Sequence, residues 1–332
     1  MKAIVSRSIG GPETLTLEDV DDPVAGPGQV VVRVKASGVN FPDALIIEDK
    51  YQFKPKRPFS PGAEFSGVVE ATGTGVCSLR PGDRVMGFSR WGAMAQKIVI
   101  DTSRCVVMPD TMPFDEAAAF ILTYGTSYYA LKERGALKSG DTLLVLGASG
   151  GVGLAATEIG KAMGARVVAA VSTAEKARLV RAHGADRSVI YGVAPFGPAS
   201  RRDVVRLLKE ACEPDGAHVV CDIVGGGYSE AALRAIAWDG RFLVVGFTAG
   251  IPQIPLNLPL LKSCQILGVF WGAWLDRSVD HLSRSVAELL GWYESGKLRP
   301  CITARFPLSE ASDAIAQLTT RKAMGKIIVN ID

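Results

Sequence analysis

The chain has 332 residues, 37 Lys+Arg against 34 Asp+Glu for a formal charge of +3, and 48% hydrophobic residues. At roughly 150 residues per domain this length suggests two domains, and the balanced charge excludes a disordered or nucleic-acid-coating chain. Three histidines (His183, His218, His281) and six cysteines without a C-x-x-C pair (Cys77, Cys105, Cys212, Cys221, Cys264, Cys301) leave little for metal binding and suit a cytoplasmic protein with reduced thiols.

The N-terminus, MKAIVSRSIGGPETLTLEDV, alternates early and then turns polar. No run reaches the ~18 uncharged apolar residues of a membrane span, so neither a signal peptide nor a membrane is expected. Over the first ~120 residues, short β-like runs are set apart by Gly and Pro. They are Met1 to Arg7, Gly28 to Ala36, Glu64 to Thr72, Asp83 to Phe88 and Ala93 to Ile100. Partial alternation in Gln29 to Lys35 suggests an antiparallel or barrel-like β domain.

From Phe114 the texture becomes helical, and strand then alternates with helix. Strands are expected at Thr142 to Leu146, Arg166 to Val171, Ser188 to Tyr191, Ala217 to Val224, Phe242 to Phe247 and Gln265 to Phe270. Helices are expected at Gly151 to Met163, Ala174 to His183, Arg201 to Ala211 and Tyr228 to Ala237. Six strands with helical crossovers describe a doubly wound parallel sheet. After Trp271 come a helix (Val279 to Glu294), an extended RPCITARFPL, a helix (Glu310 to Thr320) and a strand (Lys326 to Ile331). This tail is too short to stand alone and is expected to pack on the N-terminal region. The division is therefore residues 1–123 with 275–332 as one discontinuous domain, and 124–274 as an inserted α/β domain.

The strongest local signal is the run from Leu143 to Leu154, LLVLGASGGVGL, an apolar strand entering a glycine-rich turn and then a helix. It reads as a dinucleotide site. Ala148, Gly150 and Gly153 form an A-x-G-x-x-G fingerprint, and Ser149, Gly151 and Val152 complete the turn. Gly150 leaves room for the pyrophosphate, Gly153 lets the helix approach the strand, and the helix N-terminus faces the phosphates. The alternative is a tight turn with nothing bound. The second strand ends Val171-Ser172-Thr173 without the acid that bonds both ribose hydroxyls in NAD sites. Ser172 and Thr173 leave space for a 2′-phosphate, with Lys176, and more weakly Arg178, to neutralise it, which favours NADP(H). Ser172-Thr173-Ala174-Glu175 is equally a capping box in which Ser172 caps the helix. Tyr191 either lies beside that phosphate or packs.

These features, with Pro61-Gly62-Ala63-Glu64-Phe65-Ser66-Gly67 and Arg80-Pro81-Gly82-Asp83-Arg84-Val85, resemble the medium-chain dehydrogenase/reductase superfamily. Within it, the resemblance is to the zinc-independent NADPH:quinone oxidoreductases, the zeta-crystallin-like branch, over essentially the full length. It implies a GroES-like β-rich catalytic domain with an inserted Rossmann domain. Zinc-containing alcohol dehydrogenases carry a ligand cysteine where this chain has Asn40, and Gly-His-Glu where it has Gly62-Ala63-Glu64. The resemblance therefore implies no zinc.

By the same resemblance Asn40 lies near the nicotinamide and the substrate carbonyl, Tyr51 at the mouth of the substrate pocket and Thr126 beside the nicotinamide. Their bland alternatives are an Asx turn before Pro42, surface packing and a helix-internal hydrogen bond. Phe247, Thr248, Phe270, Trp271 and Gly272 are expected to supply main-chain contacts to the carboxamide, and Glu64 to brace the domain junction. Without a Lewis acid a simple ketone is poorly served, whereas a quinone or α,β-unsaturated carbonyl delocalises the incoming charge. Asn40 or a hydroxyl is expected to donate to the developing oxyanion. The implied partners are a small-molecule quinone or conjugated carbonyl and a second copy of the chain, joined through the edge strand Gln265 to Phe270. Nucleic acid is not among them.

Overall fold

The β-branched runs become strands wherever Gly or Pro ends them. In the computed structural model, which describes residues 1–192, 198–320 and 323–332, the N-terminal part runs β1 (Lys2–Val5), β2 (Thr16–Asp19), β3 (Gln29–Val39), α1 (Phe41–Ile47), β4 (Glu64–Thr72), β5 (Arg84–Phe88), β6 (Lys97–Asp101), β7 (Cys105–Val107), α2 (Phe114–Ala118) and α3 (Ile121–Tyr128). An alternating region follows: β8 (Thr142–Leu146), α4 (Gly151–Ala162), β9 (Arg166–Val171), α5 (Ala174–Ala182), β10 (Arg187–Ile190), α6 (Pro198–Ala211), β11 (Ala217–Asp222), α7 (Gly227–Arg234), β12 (Ile236–Val244), α8 (Asn257–Lys262), β13 (Gln265–Gly268) and α9 (Trp271–Leu275). The chain ends with α10 (Asp280–Glu294), β14 (Ile302–Pro307), α11 (Ala311–Thr319) and β15 (Lys326–Asn330). No described helix is long and apolar enough to cross a membrane.

Two units divide the chain. The first comprises Met1–Leu122, Ser278–Val286 and Pro300–Asp332, the second Thr123–Arg277 and Ala287–Arg299. Residues 287–299 thus group with the second unit, where the sequence division put them in the first. Ring packing of Trp292 on Tyr128 (centroids 6.3 Å apart) and hydrogen bonds tie them there. Glu288 accepts hydrogen bonds from the Tyr128 hydroxyl (2.7 Å) and the Lys132 ammonium, and the Arg299 amide donates to Glu158 (3.0 Å).

In the first unit, β14-β15-β3-β4-β5-β7 form one sheet and β6 also pairs with β3. Pairing is antiparallel except for β14 with β15. The C-terminal strand β15 therefore lies beside β3, with Ile327 opposite Val39. The core beneath contains Ile46, Ile47, Phe65, Met94 and Val329. Sequence reading missed β2, β7 and α1, all short. In the second unit six parallel strands run β10-β9-β8-β11-β12-β13. Every residue of β8 is buried, as a strand covered on both faces requires. This order reverses direction at the β8/β11 pair, the place where such sheets bind ligands beyond their carboxyl ends.

Candidate active site

The turn after β8 is built from backbone. Gly147 adopts φ +70°, and a methyl group there would lie 2.7 Å from Val224, so the turns after β8 and β11 approach closely because glycine stands at that position. A methyl group at Gly153 would meet Gly147 O at 2.3 Å and Ala148 Cα at 2.6 Å, which brings α4 hard against the turn. Gly150, the N-cap of α4, differs: a methyl there meets nothing nearer than Gly147 O at 3.7 Å. The residue at the start of a twelve-residue helix therefore has room for an added methyl in ordinary contact, a place where the helix N-terminus can receive an anion. Ala148 and Ser149 are buried, and Gly151 and Val152 are half-buried in the first turn.

At the end of β9 the helix cap is Thr173, whose side chain accepts from the Lys176 amide at 3.2 Å. This corrects the assignment of the cap to Ser172. Ser172, half-buried, is left outside the capping interaction. Burial lowers the Lys176 ammonium from its usual range, against an opposing pull from Glu175. Tyr191 is buried with its ring centroid 4.6 Å from that of Tyr228, and its amide donates to Val171 O. It packs in the core of the sheet next to the β9 terminus.

The loop beyond β11 is held by Asp222, which is buried. Its Oδ1 accepts from the amides of Val224 and Gly225, both at 2.9 Å, and its Oδ2 from the Ser229 hydroxyl. Burial raises its pKa and these bonds oppose the rise. Gly226 N donates to Gly250 O and Ala249 N to Val224 O, both at 2.7 Å, which holds the segment carrying Phe247 and Thr248. Phe247 and Phe270 are each 44% exposed, and Gly272 is half-buried. Trp271 is buried against α3, where a methyl at Gly125 would strike its ring at 2.6 Å. Beside it, Thr126 is half-buried and its hydroxyl has no hydrogen bond to a described residue, so it makes no helix-internal bond. Ser127 makes that bond instead, to Thr123 O at 2.8 Å.

The first unit assembles a second polar cluster. Asn40 follows β3 and caps α1, and its side chain is held on both sides. Nδ2 donates to Gly38 O (3.0 Å) and Glu64 Oε1 (2.8 Å), while Oδ1 accepts from Lys326 Nζ (2.8 Å). Its backbone N–H donates to Asp43 Oδ2 at 2.7 Å. Asp43 is fully buried, takes a second bond from the Gly62 amide, and is pushed up to about 7 mainly by desolvation. Tyr51 is half-buried, with its ring centroid 5.9 Å from that of Phe53. Burial, then the Asp43 charge, raises its hydroxyl pKa, and Arg90 opposes the rise.

Family profiles match both regions. "Alcohol dehydrogenase GroES-like domain" covers residues 26–110 and "Zinc-binding dehydrogenase" residues 151–288. A Nematostella vectensis protein named "Quinone oxidoreductase-like protein 2 homolog" is 37% identical over 99% of this chain and 88% of its own. A Pseudomonas aeruginosa "Quinone oxidoreductase" is 34% identical over 99% of both chains. The crystal structure of Escherichia coli quinone oxidoreductase complexed with NADPH superposes with a TM-score of 0.91, at 27% identity, over 99% of this chain and 100% of that one. The chain belongs to the zinc-independent quinone oxidoreductase branch of the medium-chain dehydrogenase/reductase superfamily.

For this quinone oxidoreductase relative, the residues at the positions of zinc ligands do not fit a catalytic zinc, despite the name of the second profile. Ala63 offers no donor, and the one oxygen Asn40 has is bonded to an ammonium. The same bonds correct the expected chemistry of Asn40. Both of its N–H groups are used within the protein, so it has none left to give to a substrate oxyanion. Asp43, Lys326 and Asp222 escaped the sequence reading. Asp43 and Asp222 carried weak signals, N-x-x-D ahead of a short helix and an acid closing a buried strand before Gly225-Gly226. Lys326 carried none, because its partners are far away in sequence.

Proposed function

We propose that this protein is a cytoplasmic, NADPH-dependent reductase that delivers a hydride to a quinone and works as a homodimer. The observation that carries the proposal is the room at Gly150, an anion cradle at the α4 N-terminus, together with a β9 terminus that has no acid and leaves Ser172 and Lys176 beside the cap. Relatives named quinone oxidoreductase, one solved with NADPH, support the same reading. In this assignment the α4 N-terminus holds the pyrophosphate, and Lys176 and Ser172 take the 2′-phosphate, with Tyr191 packed beneath. The loop carrying Phe247 and Thr248, and the segment Phe270-Trp271-Gly272, fix the nicotinamide carboxamide. Bound NADPH supplies the hydride, and reduction to the hydroquinone takes up one proton besides. The hydroxyl of Thr126, which has no hydrogen bond to a described residue, replaces Asn40 as a donor to the developing oxyanion. The protein's task is alignment and exclusion of water.

Stopped-flow NADPH oxidation against a panel of acceptors tests this. A simple quinone is expected to be turned over fastest. A preference of orders of magnitude for an enone, alkenal or enoyl thioester would make the protein a conjugate reductase, and NADPH binding without turnover of any acceptor would make it a low-turnover binding protein. NADPH is expected to bind at least about tenfold more tightly than NADH, and Lys176→Ala to remove most of that difference, about 1.4 kcal/mol. Equal affinities would overturn the 2′-phosphate assignment. The dimer is proposed through the free edge of β13, where Ile266 and the preceding Leu256, Leu260 and Leu261 are exposed. Size-exclusion at several concentrations should give twice the monomer mass, and Ile266→Lys should lower it.

A further inference from the structure

Gly125 lies inside α3, where glycine is among the least favourable residues and the backbone is ordinary helix. The space its side chain would take is filled by Trp271. A methyl at Gly125 would lie 2.6 Å from Cζ2, 2.8 Å from Cε2 and 3.1 Å from Nε1 of the indole. Neither partner is free to retreat. On one side, residues flanking Gly125 bind α3 to α4: the Tyr124 hydroxyl donates to Glu158 Oε2 at 2.6 Å, and the Ser127 hydroxyl is shared between Thr123 O (2.8 Å) and Val152 O (2.9 Å). On the other, Trp271 is 4% exposed and begins α9, whose Trp274 ring stacks on Tyr129 with centroids 4.6 Å apart and planes at 22°. The Val269 amide ties the chain just before this segment to Val244 O at 3.0 Å.

Helix geometry sorts these contacts. At about 100° per residue, Tyr124 and Ser127 share the face toward α4, Gly125 turns toward α9, and Thr126 is left on neither. The seat of the indole on Gly125 therefore sets how far the main chain of Phe270, Trp271 and Gly272 stands from Thr126. We propose that Gly125 is a positioning residue: its absent side chain lets Trp271 seat against α3, which fixes the main chain that holds the nicotinamide carboxamide at its distance from the Thr126 hydroxyl. A larger residue there leaves the phosphate contacts at α4 and after β9 in place and displaces the nicotinamide end alone. The inference rests on the reading of Thr126 and Phe270-Trp271-Gly272 as nicotinamide contacts.

Two ligands separate the nicotinamide end from the rest: NADPH, and 2′-phospho-ADP-ribose, which keeps the phosphates and lacks the nicotinamide. Calorimetry gives their dissociation constants for the wild type, Gly125→Ala, Trp271→Phe and the double variant, with kcat for a simple quinone alongside. Gly125→Ala should weaken NADPH at least about fivefold and the fragment less than about twofold, and lower kcat at least about tenfold, since a misplacement of about an ångström is costly at the reacting atoms. Adding Trp271→Phe, whose smaller ring withdraws from the methyl, should recover most of the loss, a coupling that a general weakening of α3 does not produce. Equal effects on the two ligands, or no recovery in the double variant, would overturn the inference and leave the nicotinamide assignments standing. If the wild type binds the fragment as tightly as NADPH, the assignment of Phe270-Trp271-Gly272 falls and the inference falls with it. Should Gly125→Ala not fold, Trp271→Phe alone carries the test, because a poorly filled seat should loosen NADPH and spare the fragment, and equal losses on both would again overturn the inference.

Discussion

The turn after β8 and the cluster around Asn40 handle buried polarity in opposite ways. The turn uses backbone amides at a helix N-terminus, and its shape comes from missing side chains at Gly147, Gly150 and Gly153. The Asn40 cluster uses full charges, an acid and an ammonium with little or no exposed surface, whose hydrogen bonds satisfy each other. The first device is open toward an outside anion and has nothing ionised to desolvate when free. The second is closed and nearly saturated, so it can orient a neighbour but has little to offer a ligand directly. Partial charges suit binding that must form and release, whereas buried ion pairs suit fixed geometry.

The largest effect that would sharpen this contrast lies at Asp43. Burial holds its carboxyl at about 7, so the folded protein keeps this proton between about pH 4 and pH 7, where the unfolded chain has lost it. The unfolded state then binds fewer protons, and this group's contribution to stability falls as pH rises through the window, by up to about 4 kcal/mol. Asp43→Asn should remove that slope. Chemical denaturation of both proteins from pH 4 to 7 measures it as the difference between two curves. Parallel curves would show that the carboxyl is not held protonated.

Next is a pair of glycines in the turn. Gly153→Ala forces a methyl onto backbone atoms that cannot move cheaply, so a loss of about 1–3 kcal/mol in stability is expected, together with weaker NADPH binding. Gly150→Ala has room for its methyl in the free protein. Thermal unfolding should hardly change while NADPH affinity falls about tenfold or more, ~1.4 kcal/mol, because the methyl fills the cradle. If Gly150→Ala binds NADPH normally, the cradle does not hold the pyrophosphate. The smallest effect separates two adjacent hydroxyls. Thr173→Ala should cost about 1 kcal/mol of stability through the lost cap, whereas Ser172→Ala should leave stability unchanged and weaken NADPH alone. Reversed results would return the cap to Ser172.

The glycine turn and the parallel sheet were legible because their determinants are local. A fully buried strand, Thr142–Leu146, is apolar at nearly every position, and it runs straight into Gly147 and α4. The cap at Thr173 was misplaced by one residue because Ser172 and Thr173 are chemically equivalent as caps and only the chain's turn into α5 separates them. The grouping of residues 287–299 with the second unit was hidden for a different reason. It depends on Glu288 meeting Tyr128 and Lys132, on Trp292 packing against Tyr128, and on Arg299 meeting Glu158, all distant in sequence.

Sequence alone determined the family, the two-part architecture and the glycine-rich turn after β8, since each is written in contiguous patterns or in the order of motifs. It also marked Asn40 as the residue standing where zinc relatives have a ligand. What Asn40 can do was decided only by tertiary structure. The antiparallel pairing of β15 with β3 carries Lys326 to the carboxamide, and β4 brings Glu64 to its other side. Hydrogen-bonding capacity is a finite count of donors and lone pairs, and only the folded chain shows how many of them are already used.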